Sequence, residues 1–210
     1  MDAGFWLSVT LACLLGAMSP GPSLAGIVNL SLSQGRIAGL IAAVTHGLMI
    51  GLFAFSTAFG LVVIVERNPL IFNTVQIAGC VFLIWMAVKL LFTTANREIV
   101  SVVTAQSSKW LAARDGLLIA LVNPKIIIFF SALFSQFVDA SSQLWEKTLL
   151  ALIAGTVDML WYMLIAVVIS NSSSNETGLN VYRKYGQWLD KLFAVVLLVI
   201  AIGFIIQIIG

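Results

Sequence analysis

Of the 210 residues, 60% are hydrophobic and only 10% charged, with a mean hydropathy of +1.06, whereas ordinary soluble domains are about a quarter charged; water is excluded as the solvent for most of this surface. The net charge of +2 is not gathered into any Lys/Arg-rich stripe, so nucleic acid is excluded as a partner. The cysteines, Cys13 and Cys80, both lie within apolar runs and supply no disulfide framework; no cofactor is expected.

Uncharged runs cover 3 to 35, 37 to 65, 68 to 88 and 192 to 210, and two further runs are interrupted by one charge each, 116 to 138 by Lys125 and 148 to 175 by Asp158. Each is apolar enough to cross about 30 Å of hydrocarbon. The expected fold is therefore an all-α membrane protein with six transmembrane helices in one domain, 1–210. Barrel strands would be about 10 residues of alternating polarity, and these runs do not alternate. The start, Met1-Asp2-Ala3-Gly4-Phe5-Trp6, lacks a basic n-region and a small-residue cleavage site, so the first run is expected to stay as the first span.

As one helix at about 1.5 Å per residue, the run from 3 to 35 would be about 50 Å long, far more than the bilayer requires. Ser19-Pro20-Gly21-Pro22 is expected to break it. The prolines withdraw the N–H groups that would pair with the carbonyls of Gly16 and Met18, and Gly21 permits a positive φ. Pro22 suits the first position of a new helix running to Ser33. In the second span, His46 is either hydrogen-bonded between helices or, where water reaches it, a proton carrier. Gly35, Gly39, Gly47 and Gly51, spaced near four, read as close helix contact.

Asn123-Pro124 repeats the break in the fourth span, with Asn123 as N-cap, Pro124 as first helical residue and the Ala120 carbonyl left without its partner. Lys125, next in line, has three readings that stay open: it snorkels, balances Asp158, or meets a carboxylate. Asp158 stands mid-span in Gly155-Thr156-Val157-Asp158-Met159-Leu160-Trp161-Tyr162. Placing a carboxylate there costs about 2.5–3.5 kcal/mol, so it should face the bundle interior. It can pair with a substrate ammonium, carry a proton, or serve as a buried partner of Lys125. Trp85, Trp161 and Trp188 either line a pocket or form interfacial belts.

The loops near Arg36, near Lys89, Arg97, Lys109 and Arg114, and near Arg183, Lys184 and Lys191 share one side of a six-span chain, and only Arg67 and Lys147 lie on the other. The positive-inside bias then places both termini outside the cytoplasm. Trp6 and Pro20 match Trp110 and Pro124 at one common offset, and three spans follow each Trp. That is the pattern of two inverted three-helix repeats, about 1–103 and 104–210, with the first and fourth helices proline-broken. The half-helices would aim their positive N-terminal ends at a shared centre suited to an anion.

At these residues the chain resembles the lysine exporter (LysE/RhtB) family of bacterial amino-acid exporters, and particularly its homoserine, threonine and leucine branch. The resemblance runs through Ser19-Pro20-Gly21-Pro22, Ser31-Leu32-Ser33-Gln34-Gly35-Arg36-Ile37-Ala38-Gly39 and Leu83-Ile84-Trp85. It continues in Asn123-Pro124-Lys125, Phe129-Phe130, Phe134-Ser135-Gln136-Phe137 and Val157-Asp158. It implies a multi-pass inner-membrane exporter of amino acids or close analogues, not an enzyme, exchanging its solute for protons. Many members have an acidic residue in the second span where Ile50 stands here, which points to neutral rather than basic substrates.

The expected binding residues are accordingly Ser19, Pro20, Gly21, Pro22, Asn123, Pro124 and Lys125, with the helix starts at Pro22 and Pro124 and Asn123 at the substrate carboxylate and the role of Lys125 left open. Asp158 is expected at the substrate ammonium, with Asp158 and His46 as proton carriers. The expected partners are the amino acid and the bilayer, with a homo-oligomer left open. Two other classes compete: a membrane thiol–disulfide electron carrier using Cys13 and Cys80, and a small-ion transporter or channel, for which only one central carboxylate is available.

Overall fold

The computed structural model describes residues 3–19, 21–92, 108–137, 142–171, 188, 191–192, 194–203 and 205–206, and among them there is no strand. The helices are α1 (Ala3–Met18), α2 (Pro22–Gln34), α3 (Arg36–Arg67), α4 (Pro69–Phe92), α5 (Lys109–Leu121), α6 (Pro124–Phe137), α7 (Leu144–Asn171) and a shorter apolar α8 (Ala194–Gly203). Their ends follow local chemistry. Asn68 caps α4 by accepting the Ile71 N–H at 3.2 Å, with Pro69 as first helical residue. Ser108 caps α5 through Leu111 N–H at 3.4 Å, and Glu146 reaches back to the Gln143 N–H at 2.7 Å at the start of α7.

The two segments Arg36–Gly60 and Leu144–Ser170 are long and apolar enough to cross a membrane by themselves, and α1 with α2, bent by 59° at their break, is long and apolar enough only as a pair, in the manner of a broken span or a re-entrant loop. Apolar stretches 73–89 and 194–203 are shorter. The chain is thus a helical multi-pass membrane protein. Large apolar side chains such as Leu48, Leu52, Leu160 and Leu164 are exposed on its outer faces, as hydrocarbon solvent permits.

The helix breaks fall where the prolines predict, with different backbone details. Gly21 is extended (φ 178°), a conformation open to any residue; the positive φ belongs to Gly35 (φ 86°), in the turn between α2 and α3. Pro20 lies outside the described residues. The Ala120 carbonyl is not orphaned, because the Asn123 N–H swings onto it at 3.3 Å.

At the centre, α3 and α7 run antiparallel in direct backbone contact. A Cβ added to Gly47 would lie 2.9 Å from the Gly155 carbonyl oxygen, and one added to Gly155 would lie 2.8 Å from that of Gly47. The expected glycine contact is therefore present at Gly47 and Gly51, which pack on Gly155, and at Gly39, which packs on Ser31 and Ala166, but not at Gly35, which lies in the turn with nothing within 4 Å of an added Cβ among the described residues. Around this pair, α1 and α2 pack on α7, α5 and α6 pack on α3, and α4 packs on α6. The α3–α7 crossing and the two helix breaks thereby face the same interior region.

Candidate substrate and proton site

Burying polar groups in a lipid-embedded bundle is costly unless they satisfy one another. Four that are almost wholly buried do so here. Ser23, second residue of α2, is set just past the first break, and Asn123 stands at the second; His46 comes from α3 and Asp158 from α7. His46 Nδ1 lies 2.7 Å from Asp158 Oδ2, and His46 Nε2 lies 2.9 Å from Ser23 Oγ. Asn123 Nδ2 donates to the same Ser23 Oγ at 2.8 Å.

These bonds have one self-consistent direction when Asp158 is ionised and the imidazole is neutral. Asn123 donates to Ser23, the Ser23 hydroxyl donates to His46 Nε2, and the Nδ1–H donates to the Asp158 carboxylate. Adding one proton at Nε2 requires only that the Ser23 hydroxyl hydrogen turn elsewhere; the imidazolium then donates at both nitrogens. Either protonation state of the imidazole is thus accommodated by a single hydroxyl rotation. The Tyr162 and His46 rings pack nearly perpendicular to one another, with centroids 5.0 Å apart.

The network borders a cavity of about 40 Å³, little more than one water's share of liquid volume, about 30 Å³. Ligand sites occupy about 300–1,000 Å³, so the cavity in this conformation is too small for an amino acid. Ser19 and Gly21 also line this cavity, as do Cys13, Ile50 and Ala154. The acidic position expected from the resemblance is thus filled by a buried isoleucine, one helical turn from His46.

Other expected residues fare differently. Pro22 opens α2 but its side chain is exposed and does not line the cavity. Pro124 opens α6, whereas the side chains of Pro124 and Lys125 lie outside the described residues. Asp158 has His46 as a hydrogen-bond partner, which gives His46 the interhelical bonding that its alternative reading anticipated. Trp85 and Trp188 are exposed, as belt residues would be, with Lys89 5.0 Å above the Trp85 ring; Trp161 is half-buried with its Nε1 unpartnered, and none of the three lines the cavity. Cys13 and Cys80 are buried thiols, neither in a disulfide. Among the described residues, no group of three or more His, Cys, Asp or Glu could hold a metal. Sequence reasoning missed Ser23 and Tyr162: a serine after a helix-starting proline and a tyrosine four residues past Asp158 were the available signals.

The family model described as LysE type translocator matches residues 14–208. The chain is 26% identical over 167 residues to a leucine efflux protein of Enterobacter sp. (strain 638), covering 79% of this chain and 77% of that one. It is 25% identical over 193 residues to the threonine efflux protein of Escherichia coli (strain K12), covering 88% and 89%. An uncharacterized membrane protein of Vibrio cholerae is 29% identical over 168 residues, covering 75% and 77%. No solved structure matches the chain.

Proposed function

The chain belongs to the LysE type translocator family, and from that premise we propose that it exports a neutral amino acid or close analogue from the bacterial cytoplasm in exchange for protons. At family level it is a transmembrane amino-acid efflux transporter. The observation that carries the finer reading is the buried His46–Asp158 pair, bonded through Ser23 and Asn123 to both helix breaks beside a closed cavity.

In this reading the substrate carboxylate lies against the N-terminal ends of α2 and α6, where helix dipoles favour an anion, with Asn123 and Ser23 as side-chain donors. Ser19 and Gly21 border the same position; Lys125 and Pro124 belong to it by their place at the start of α6. The ammonium goes to Asp158. A buried carboxylate stripped of its partner costs about 3–5 kcal/mol, so Asp158 always holds either the His46 unit or the ammonium. A proton on His46 locks the imidazolium onto Asp158 and excludes the ammonium. Mutual exclusion of proton and solute at one carboxylate is the requirement for exchange.

Alternating exposure is supported by a pairing that recurs between the halves. α1 packs on α7 as α5 packs on α3, and α2 packs on α7 as α6 packs on α3. Gly51 and Gly155, separated by the same offset as Trp6 and Trp110, meet at the α3–α7 crossing. Equivalent residues meeting at a crossing are what a two-fold axis through it produces. Six spans in two inverted repeats, with both termini outside the cytoplasm, rocking about that crossing, complete the proposal.

The test is counterflow in reconstituted vesicles with an imposed pH gradient. Asp158→Asn, nearly isosteric, should leave the protein folded and abolish proton-driven efflux. Undiminished proton-driven efflux in that variant would remove Asp158 from the mechanism.

A further inference from the structure

The closed cavity has a polar lining, used above, and an apolar one. Among the described lining residues, the one carboxyl and the one imidazole are those of Asp158 and His46; Ile50, Ile126, Ala154 and Phe129 form apolar wall. Phe129 is distinguished by its seat. A Cβ added to Gly16 of α1 would lie 2.8 Å from both Cε1 and Cζ of the Phe129 ring, so the ring rests on bare backbone where any larger residue would strike it. Phe130 holds it edge-on at 5.4 Å and 75°. Gly16 lies just before the first helix break and Phe129 just after the second, so this contact joins the two broken helices across the cavity.

A cavity of about 40 Å³ cannot admit an amino acid unless part of its wall moves. A ring against glycine has no side chain to interlock with on that face, so it can leave without dragging α1. Resting on the export reading, we infer that the Phe129 ring on Gly16 closes the subsite for the substrate's side chain. The ring sets the length of aliphatic side chain that a neutral α-amino acid can carry into the closed state. An uncharged chain fits because this stretch of wall offers no counter-charge.

The experiment compares counterflow of alanine, valine, leucine and phenylalanine in vesicles containing wild type, Phe129→Leu, Gly16→Ala or both substitutions. In an apolar pocket one methylene is worth about tenfold or more in discrimination. Phe129→Leu, which enlarges the subsite, should raise the phenylalanine-to-alanine rate ratio about tenfold. Gly16→Ala, which pushes the ring into the cavity, should lower the leucine-to-alanine ratio by a similar factor, and the combined variant should return toward wild type because the colliding ring is gone. If Gly16→Ala alone does not fold, the other two variants decide the question. Variants that change all four rates by one common factor overturn the assignment of Phe129. Wild-type vesicles with no saturable flux of any amino acid overturn the export reading itself, a separate result.

Discussion

Gly155→Ala tests whether the α3–α7 backbone contact is what holds His46 on Asp158. The added methyl would lie 2.8 Å from the Gly47 carbonyl oxygen, 3.0 Å from Gly51 Cα and 3.1 Å from Gly51 N. All three are backbone atoms, so no side chain can rotate aside and the helices must separate. Overpacking of this kind costs about 1–3 kcal/mol, which at about 2–4 °C per kcal/mol lowers the unfolding midpoint by roughly 2–12 °C. His46 is adjacent to Gly47 and Asp158 is three residues past Gly155, so the same separation stretches their 2.7 Å bond toward the limit of about 3.2 Å. Efflux should fall together with stability. Cys13 and Cys80 are buried and not in a disulfide, so a thiol-reactive fluorogenic dye reports unfolding directly. Gly60→Ala is the control: among the described residues its Cβ would meet nothing within 4 Å, and helix propensity predicts a gain of up to about 1 kcal/mol. A Gly155→Ala protein with the wild-type midpoint and wild-type efflux would refute the reasoning.

Ser23→Ala removes the hydroxyl shared by Asn123 and His46, leaving polar groups unsatisfied at about 1–3 kcal/mol; efflux should fall about tenfold. Because Asn123 donates to the same oxygen, the loss in Ser23→Ala with Asn123→Ala should be smaller than the sum of the two single losses, and fully additive losses would show that the two do not form one network. Cys13 lines the closed cavity, which is too small for a methanethiosulfonate reagent. In a Cys80→Ser background, labelling of Cys13 should therefore be slow and slowed further by saturating substrate; fast, substrate-indifferent labelling would place the cavity off the transport route.

The sequence alone established what composition and spacing control. Long uncharged runs specify membrane helices, because no other open structure satisfies its backbone in lipid. Prolines at 22 and 124 mark helix starts, and both become first helical residues, since the missing N–H and fixed φ act locally. Asp158 was singled out by its cost in hydrocarbon, and it is indeed buried. What these local rules did not reach were partners. His46 and Asp158 are 112 residues apart, and nothing in the spacing of either distinguishes a pairing with each other from a pairing with Lys125. Ser23 was passed over because a serine in a helix is ordinary; it matters only because α2, α3 and the α5–α6 break converge on its oxygen. Gly21 was credited with conformational freedom that Gly35 uses instead, because the φ of a glycine depends on the path the chain must take between packed helices. Tertiary packing decided those questions: glycines at 47, 51 and 155 let two backbones touch, and that contact brings the imidazole to the carboxylate.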